Sequence, residues 1–165
     1  MFDAQLLHDA AELLELSRRA RLKIATAESC TGGLIAGCLT EIAGSSDVVE
    51  RGFVTYSNEA KMEMLGVPKM LITLHGAVSE QVARAMAEGA LAKSLADITI
   101  SVTGVAGPGG GTKDKPVGLV HFACAGRGRP TIAHHKVFPG DRAAVRDASV
   151  QTAFAILRHT ITGEN

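Results

Sequence analysis

Thr26-Ala27-Glu28-Ser29-Cys30-Thr31-Gly32-Gly33 is the stretch that decides the fold, because a short strand pattern over Lys23 to Ala27 runs there directly into a helical one over Gly33 to Ile42. A strand feeding a helix is the unit from which layered α/β domains are assembled. A second such junction lies at Thr55-Tyr56-Ser57-Asn58-Glu59-Ala60-Lys61. There a strand within Val48 to Tyr56 meets a short helix that Asn58 can cap and Gly66 can close.

Outward from these junctions the pattern extends to both ends. Leu6, Leu7, Ala10, Leu13 and Leu14 recur at three- and four-residue spacing, which predicts an amphipathic helix from Gln5 to about Arg19. His75-Gly76-Ala77 reads as a turn before Ser79, the N-cap of a helix through Ser94. Ile98, Ile100 and Val102 alternate with Thr99 and Ser101, the signature of a half-buried strand over Asp97 to Thr103. A glycine-rich loop, Gly104 to Pro116, follows it. Strands are expected near Val117 to Ala125 and Ile132 to Phe138, joined by Gly126-Arg127-Gly128-Arg129-Pro130. Asp141 caps a last helix to about Ile161. This order implies a single α/β domain over residues 1–165 on a mixed, roughly five-stranded sheet.

Composition narrows the function. Lys plus Arg equals Asp plus Glu at 17 each, so no net positive field draws nucleic acid. With no Trp and one Tyr, little aromatic surface exists for stacking bases. No apolar run approaches the roughly 18 residues of a membrane span, and Asp3, Asp9, Glu12 and Glu15 break up anything resembling a signal peptide. Three cysteines, without a metal-ligand spacing, suggest free thiols in a reducing compartment. A cytoplasmic protein acting on a small molecule is the expectation.

Several residues carry chemistry, each with a plainer reading beside it. Ser29 is either a helix cap or a nucleophile. Gly32 and Gly33 are poor helix formers that suit close approach, and the amides of a helix start can hold an oxyanion. Cys30 is the rival nucleophile, since a helix N-terminus lowers a thiol's pKa; Cys38 and Cys124 read as packing residues. Lys61, third in a helix capped by Asn58, sits in the positive end of the helix dipole, which favours a neutral amine able to act as base. Glu59 or Glu63 can oppose that effect, and a solvated surface lysine is the plain alternative. The Tyr56 phenol either relays a proton or orients Lys61, or merely packs. The segment Ser101-Val102-Thr103-Gly104-Val105-Ala106-Gly107-Pro108-Gly109-Gly110-Gly111-Thr112 can wrap a phosphate through its amides or serve as a flexible connection. It matches neither the P-loop nor the dinucleotide fingerprint. Arg142 is either a phosphate contact or an exposed arginine. His134 and His135 point to opposite faces of a strand, so no metal site is expected.

Taken in order, Ala27-Glu28-Ser29-Cys30-Thr31-Gly32-Gly33, Gly44-Ser45-Ser46, Arg51 to Lys61, His75-Gly76-Ala77-Val78-Ser79, Thr103 to Gly110, Lys115-Pro116-Val117-Gly118 and Phe138-Pro139-Gly140-Asp141-Arg142 closely resemble the CinA C-terminal-domain family, also called the PncC or nicotinamide-nucleotide amidase family. The resemblance covers nearly the whole chain. It implies a three-layer α/β/α sandwich and hydrolysis of the carboxamide of nicotinamide mononucleotide, in pyridine nucleotide salvage. It also implies a catalytic set of Ser29, Lys61 and Tyr56, no cofactor and no metal. The binding set taken from these motifs is Thr31, Gly32, Gly33, Gly44, Ser45, Thr103, Gly104, Gly107, Gly109 and Arg142. Some relatives carry an N-terminal nucleotide-processing domain, which this chain is expected to lack along with any pyrophosphatase activity. Two other functions stay open: an amidohydrolase for a different amide, and a nucleotide-binding regulatory domain without turnover. The expected partner is a small nucleotide, with no nucleic acid or membrane and with room for a homo-oligomer.

Overall fold

A computed structural model describes residues 2–163. The strands β1 (Ile24–Glu28), β2 (Val49–Val54), β3 (Ile98–Gly104), β4 (Leu119–Gly126) and β5 (Arg129–Val137) form a sheet in the order β2-β1-β3-β4-β5. β1 pairs in parallel with β2 and β3, whereas β4 runs antiparallel to both β3 and β5. The sheet is therefore mixed, as the order of elements implied.

Helices cover both faces. α1 (Ala4–Arg19), α2 (Leu34–Glu41) and α6 (Arg142–Thr162) pack on one, with Leu13, Leu14, Ile35, Leu39, Phe154 and Leu157 against Ile24, Ile98, Ile100, Val102 and Phe122. α3 (Asn58–Leu65), α4 (Lys69–His75) and α5 (Glu80–Ala92) lie on the other, where Leu65, Val82, Met86 and Ala90 meet Ala27. The result is a three-layer α/β/α sandwich.

The expected half-buried β3 is corrected: Ile98 through Thr103 are all buried. The alternation has a different cause. Its apolar side faces α1, α2 and α6, while its hydroxyl side faces the backbone of α5. Thr99 Oγ1 donates to Ala87 O at 2.7 Å and Ser101 Oγ to Ala83 O at 2.6 Å. Small Ala83 and Ala87 admit this close approach, and the hydrogen bonds offset the cost of burying hydroxyls.

Three local expectations change as well. α3 is capped by Ser57, whose Oγ accepts from Ala60 N at 3.0 Å, so Asn58 is its first residue and Lys61 its fourth. α4, absent from the sequence reading, ends at His75, and the turn lies beyond it. The β4–β5 connection shrinks to Arg127 and Gly128, because Arg129 and Pro130 already belong to β5. Proline is tolerated there because β5 is an edge strand. Among the described residues no helix is long and apolar enough to cross a membrane.

Topology then sorts the candidate residues. The carboxyl ends of β1, β2 and β3, the start of β4, the end of β5 and the N-terminus of α6 share one edge of the sheet. Ligands of open α/β sheets bind at such an edge. α2 carries the chain back to the opposite edge, where Ile24 N–H donates to Val48 O at 2.9 Å.

Candidate active site

β1 delivers Ser29 to the edge and β2 delivers Tyr56, with Ser57 turning the chain into α3. Side chains on a helix lean toward its N-terminus. Lys61, one turn into α3, therefore reaches back to the strand ends. Its Nζ lies 3.0 Å from Ser29 Oγ, 2.9 Å from Thr55 O and 3.5 Å from Tyr56 O.

Lys61 is 1% exposed, and no carboxylate pairs with it among the described residues. Glu59 and Glu63 are exposed and do not oppose it. Burial depresses its pKa below the ordinary lysine value, with Cys30 the opposing influence. The direction matches the sequence reading, but the cause is desolvation rather than the helix dipole, which fades beyond the first turn. A neutral amine has two N–H groups and one lone pair. The carbonyls of Thr55 and Tyr56 can take the two protons, leaving the lone pair to accept from the Ser29 hydroxyl.

The turn after Ser29 is left-handed at Gly32 (φ 60°) and Gly33 (φ 100°), which is why glycine stands at both. The Ser29 N–H donates to Val102 O at 2.9 Å, and Gly32 N–H closes the turn on Ser29 O at 3.0 Å. Gly32 N–H is thus spent inside the protein. The start of α2 is not open either: buried Glu28 accepts from Ile35 N at 2.9 Å and Ala36 N at 3.0 Å. Among the described residues, the N–H groups of Thr31 and Gly33 have no hydrogen-bond acceptor.

That same plug corrects the expectation for Cys30. With Glu28 on the helix amides, burial dominates and pushes the thiol up to about 11, with the Glu28 charge adding to it. Cys30 is a packing thiol at rest.

Other candidates fall into three groups. Tyr56 is 60% exposed and its hydroxyl accepts from Arg142 Nη2 at 2.9 Å, so Lys61 receives the Tyr56 carbonyl, not its phenol. Arg142 also donates to Gly107 O at 2.8 Å, tying the glycine loop to α6. Both flank a cleft of about 650 Å³ lined by Ala106, Pro108, Val117, Gly140, Asp141, Arg142, Ala143 and Arg146. Thr103 is buried and donates to Ala77 O at 2.9 Å, so its hydroxyl braces the wall. Gly104 lies against Val120 and Leu119 of β4, where a Cβ would clash, and Gly109 is exposed at the loop. Gly44 and Ser45 are not brought here: they follow α2 at the far edge, beside Arg18. A groove of about 490 Å³ between α1 and α6, lined by His8, Glu12, Glu15 and Arg158, also lies away from Ser29.

Arg146 was missed. Its Nε donates to Cys30 O and its Nη2 to Thr31 O, both at 3.2 Å. Its four-residue spacing from Arg142 on a predicted helix was the available signal.

Comparison with known proteins places the chain in a family. A family model described as the CinA C-terminal domain matches residues 7–161. A CinA-like protein of Mycolicibacterium vanbaalenii is 51% identical over 162 residues, 98% of this chain and 37% of its own length. The chain spans a little over a third of the length of the curated relatives it matches. Among solved structures, competence/damage inducible protein CihA from Agrobacterium tumefaciens shares 48% identity and a TM-score of 0.94, covering 98% of each chain. Competence damage-inducible protein A (ComA) from Klebsiella pneumoniae shares 36% identity and a TM-score of 0.92, covering 97% of this chain and 99% of its own.

Proposed function

This chain belongs to the CinA C-terminal domain family, and on that premise we propose that it is an amidase that converts nicotinamide mononucleotide to nicotinic acid mononucleotide and ammonia. Ser29 is the nucleophile and Lys61 its base. The observation that carries this reading is the 3.0 Å contact between Ser29 Oγ and a buried Lys61 amine that has no carboxylate partner among the described residues. A neutral lysine beside a serine supplies nucleophilic catalysis without histidine or metal.

In this scheme Lys61 takes the hydroxyl proton as Ser29 Oγ bonds to the carboxamide carbon. The carbonyl electrons move to oxygen, and the N–H groups of Thr31 and Gly33 receive that oxyanion. The C–N bond then breaks, the departing nitrogen takes the proton from Lys61, and ammonia leaves an acyl ester on Ser29. Water adds to the ester, again losing its proton to Lys61. Collapse frees the carboxylic acid and returns the proton to Ser29. Arg142, held by Gly107 O and the Tyr56 hydroxyl, presents its guanidinium at the cleft, where a planar donor set suits a phosphate. Tyr56 serves by placing Arg142 and by giving its carbonyl to Lys61.

Ammonia release from the mononucleotide, free nicotinamide and the dinucleotide tests the reading. The mononucleotide is the expected substrate, and Ser29→Ala is expected to cut turnover by about 10⁴-fold or more while the fold persists. Near-normal turnover by that variant removes serine from the role. A ligand-dependent rise in melting temperature with no ammonia from the wild type overturns the amidase reading in favour of a binding domain.

A further inference from the structure

We propose that Arg146 is a positioning residue for catalysis: by holding the carbonyl of Cys30 it aims the Thr31 N–H at the oxyanion. The proposal rests on the amidase reading above.

The turn from Ser29 to Gly33 has little to hold its shape from within. Two of its five residues are glycines with left-handed backbones, and no side chain of the turn itself caps α2. Beside its own backbone bonds, Gly32 N–H to Ser29 O at 3.0 Å and Leu34 N–H to Thr31 O at 3.1 Å, the turn is held from the other end of the chain. Arg146 is half-buried on α6, and its fork grips two consecutive carbonyls, Cys30 O through Nε and Thr31 O through Nη2. In a planar trans peptide the C=O and N–H point in opposite directions. Fixing Cys30 C=O toward α6 therefore fixes Thr31 N–H away from it. That N–H has no acceptor among the described residues. Fixing Thr31 C=O in turn sets Gly32 N–H, which closes on Ser29 O at 3.0 Å. One guanidinium thus touches both peptide planes beside the nucleophile, and it is the hold on the Cys30–Thr31 plane, whose N–H faces no acceptor among the described residues, that the proposal needs. The cation also draws electron density from the amide of Thr31 and makes its N–H a stronger donor.

The division of labour on α6 follows from exposure. Both line the cleft, but Arg142 is exposed and held by a loop carbonyl and the Tyr56 hydroxyl, whereas half-buried Arg146 grips the two carbonyls beside Ser29. A lysine at 146 would keep the charge but not the planar two-point grip.

Arg146→Gln and Arg146→Lys test the proposal, with kcat and KM for the mononucleotide measured beside the backbone ¹⁵N resonance of Thr31. Both variants are expected to lose about 100-fold in kcat with KM little changed, as for a displaced reacting group. The Thr31 ¹⁵N resonance is expected to move upfield in both as the grip on Cys30 C=O is lost, and further in Arg146→Gln, where the charge that polarises the amide is gone as well. If Arg146→Gln does not fold, Arg146→Lys decides. Unchanged kcat, or a rise in KM alone, overturns the proposal. A wild type without amidase activity defeats the functional reading instead; the Thr31 resonance then still decides whether Arg146 holds the turn, and an unmoved resonance refutes it.

Discussion

Lys61 Nζ sits 3.0 Å from Ser29 Oγ across 32 residues of chain, and the contact is made by two parallel strands that end side by side. Glu28 and Val54 are register partners, so the residues that follow them leave the sheet together. α3 then folds the lysine back over its own first turn. The pair is a product of strand register rather than of a local motif, and its consequences can be measured.

The rate should depend on pH through Lys61. We expect kcat/KM to rise with pH along a limb whose midpoint lies below the ordinary lysine value of about 10.4. Stability should follow the same group. Between the depressed folded value and about 10.4 the unfolded chain binds more protons, so stability rises with pH through that window. The penalty is full below the folded value and gone above the unfolded one. Lys61→Met should therefore gain stability over wild type most at low pH, with the gain shrinking as pH rises. A gain independent of pH would contradict this origin.

Cys30→Ala should retain turnover within about an order of magnitude, because a thiol held near 11 by burial carries little thiolate at neutral pH. Iodoacetamide should label Cys30 slowly in the folded protein. Loss of activity comparable to that of Ser29→Ala would make the thiol the nucleophile.

Gly89→Ala sets two effects against each other. Alanine favours a helix over glycine by about 1 kcal/mol. A Cβ at Gly89 would, however, stand 2.0 Å from Leu65 O, so α5 and α3 must separate. We expect net destabilisation of about 1–3 kcal/mol in urea denaturation, with reduced turnover because α3 carries Lys61. A more stable variant would show that the two helices do not pack this closely.

Much of this was legible in the residues, and the gaps have physical reasons. Ser29 and Lys61 stood out because each follows an apolar run that ends in turn residues. Ser57 and Asn58 are both good caps, and adjacent caps cannot be ranked without the strand end that precedes them. α4 escaped notice because it is seven residues long: Leu71 and Ile72 pack only partly buried against the core, and two turns are too short for an apolar period to repeat. β3 looked half-solvated because hydroxyls that meet helix carbonyls look, in sequence, like hydroxyls that meet water. Gly44 and Ser45 belong to the family pattern, yet a turn at the far edge reads no differently from one at the site. Arg146 showed only its four-residue spacing from Arg142, because its partners are backbone carbonyls more than a hundred residues away.

Titration of the Lys61 amine by NMR, with the side chain selectively labelled, tests the central claim most directly. Burial beside Ser29 predicts that the amine loses its proton well below about 10.4, the ordinary lysine value. A midpoint at or above that value would mean a resting ammonium, unable to take the serine proton, and would contradict the account.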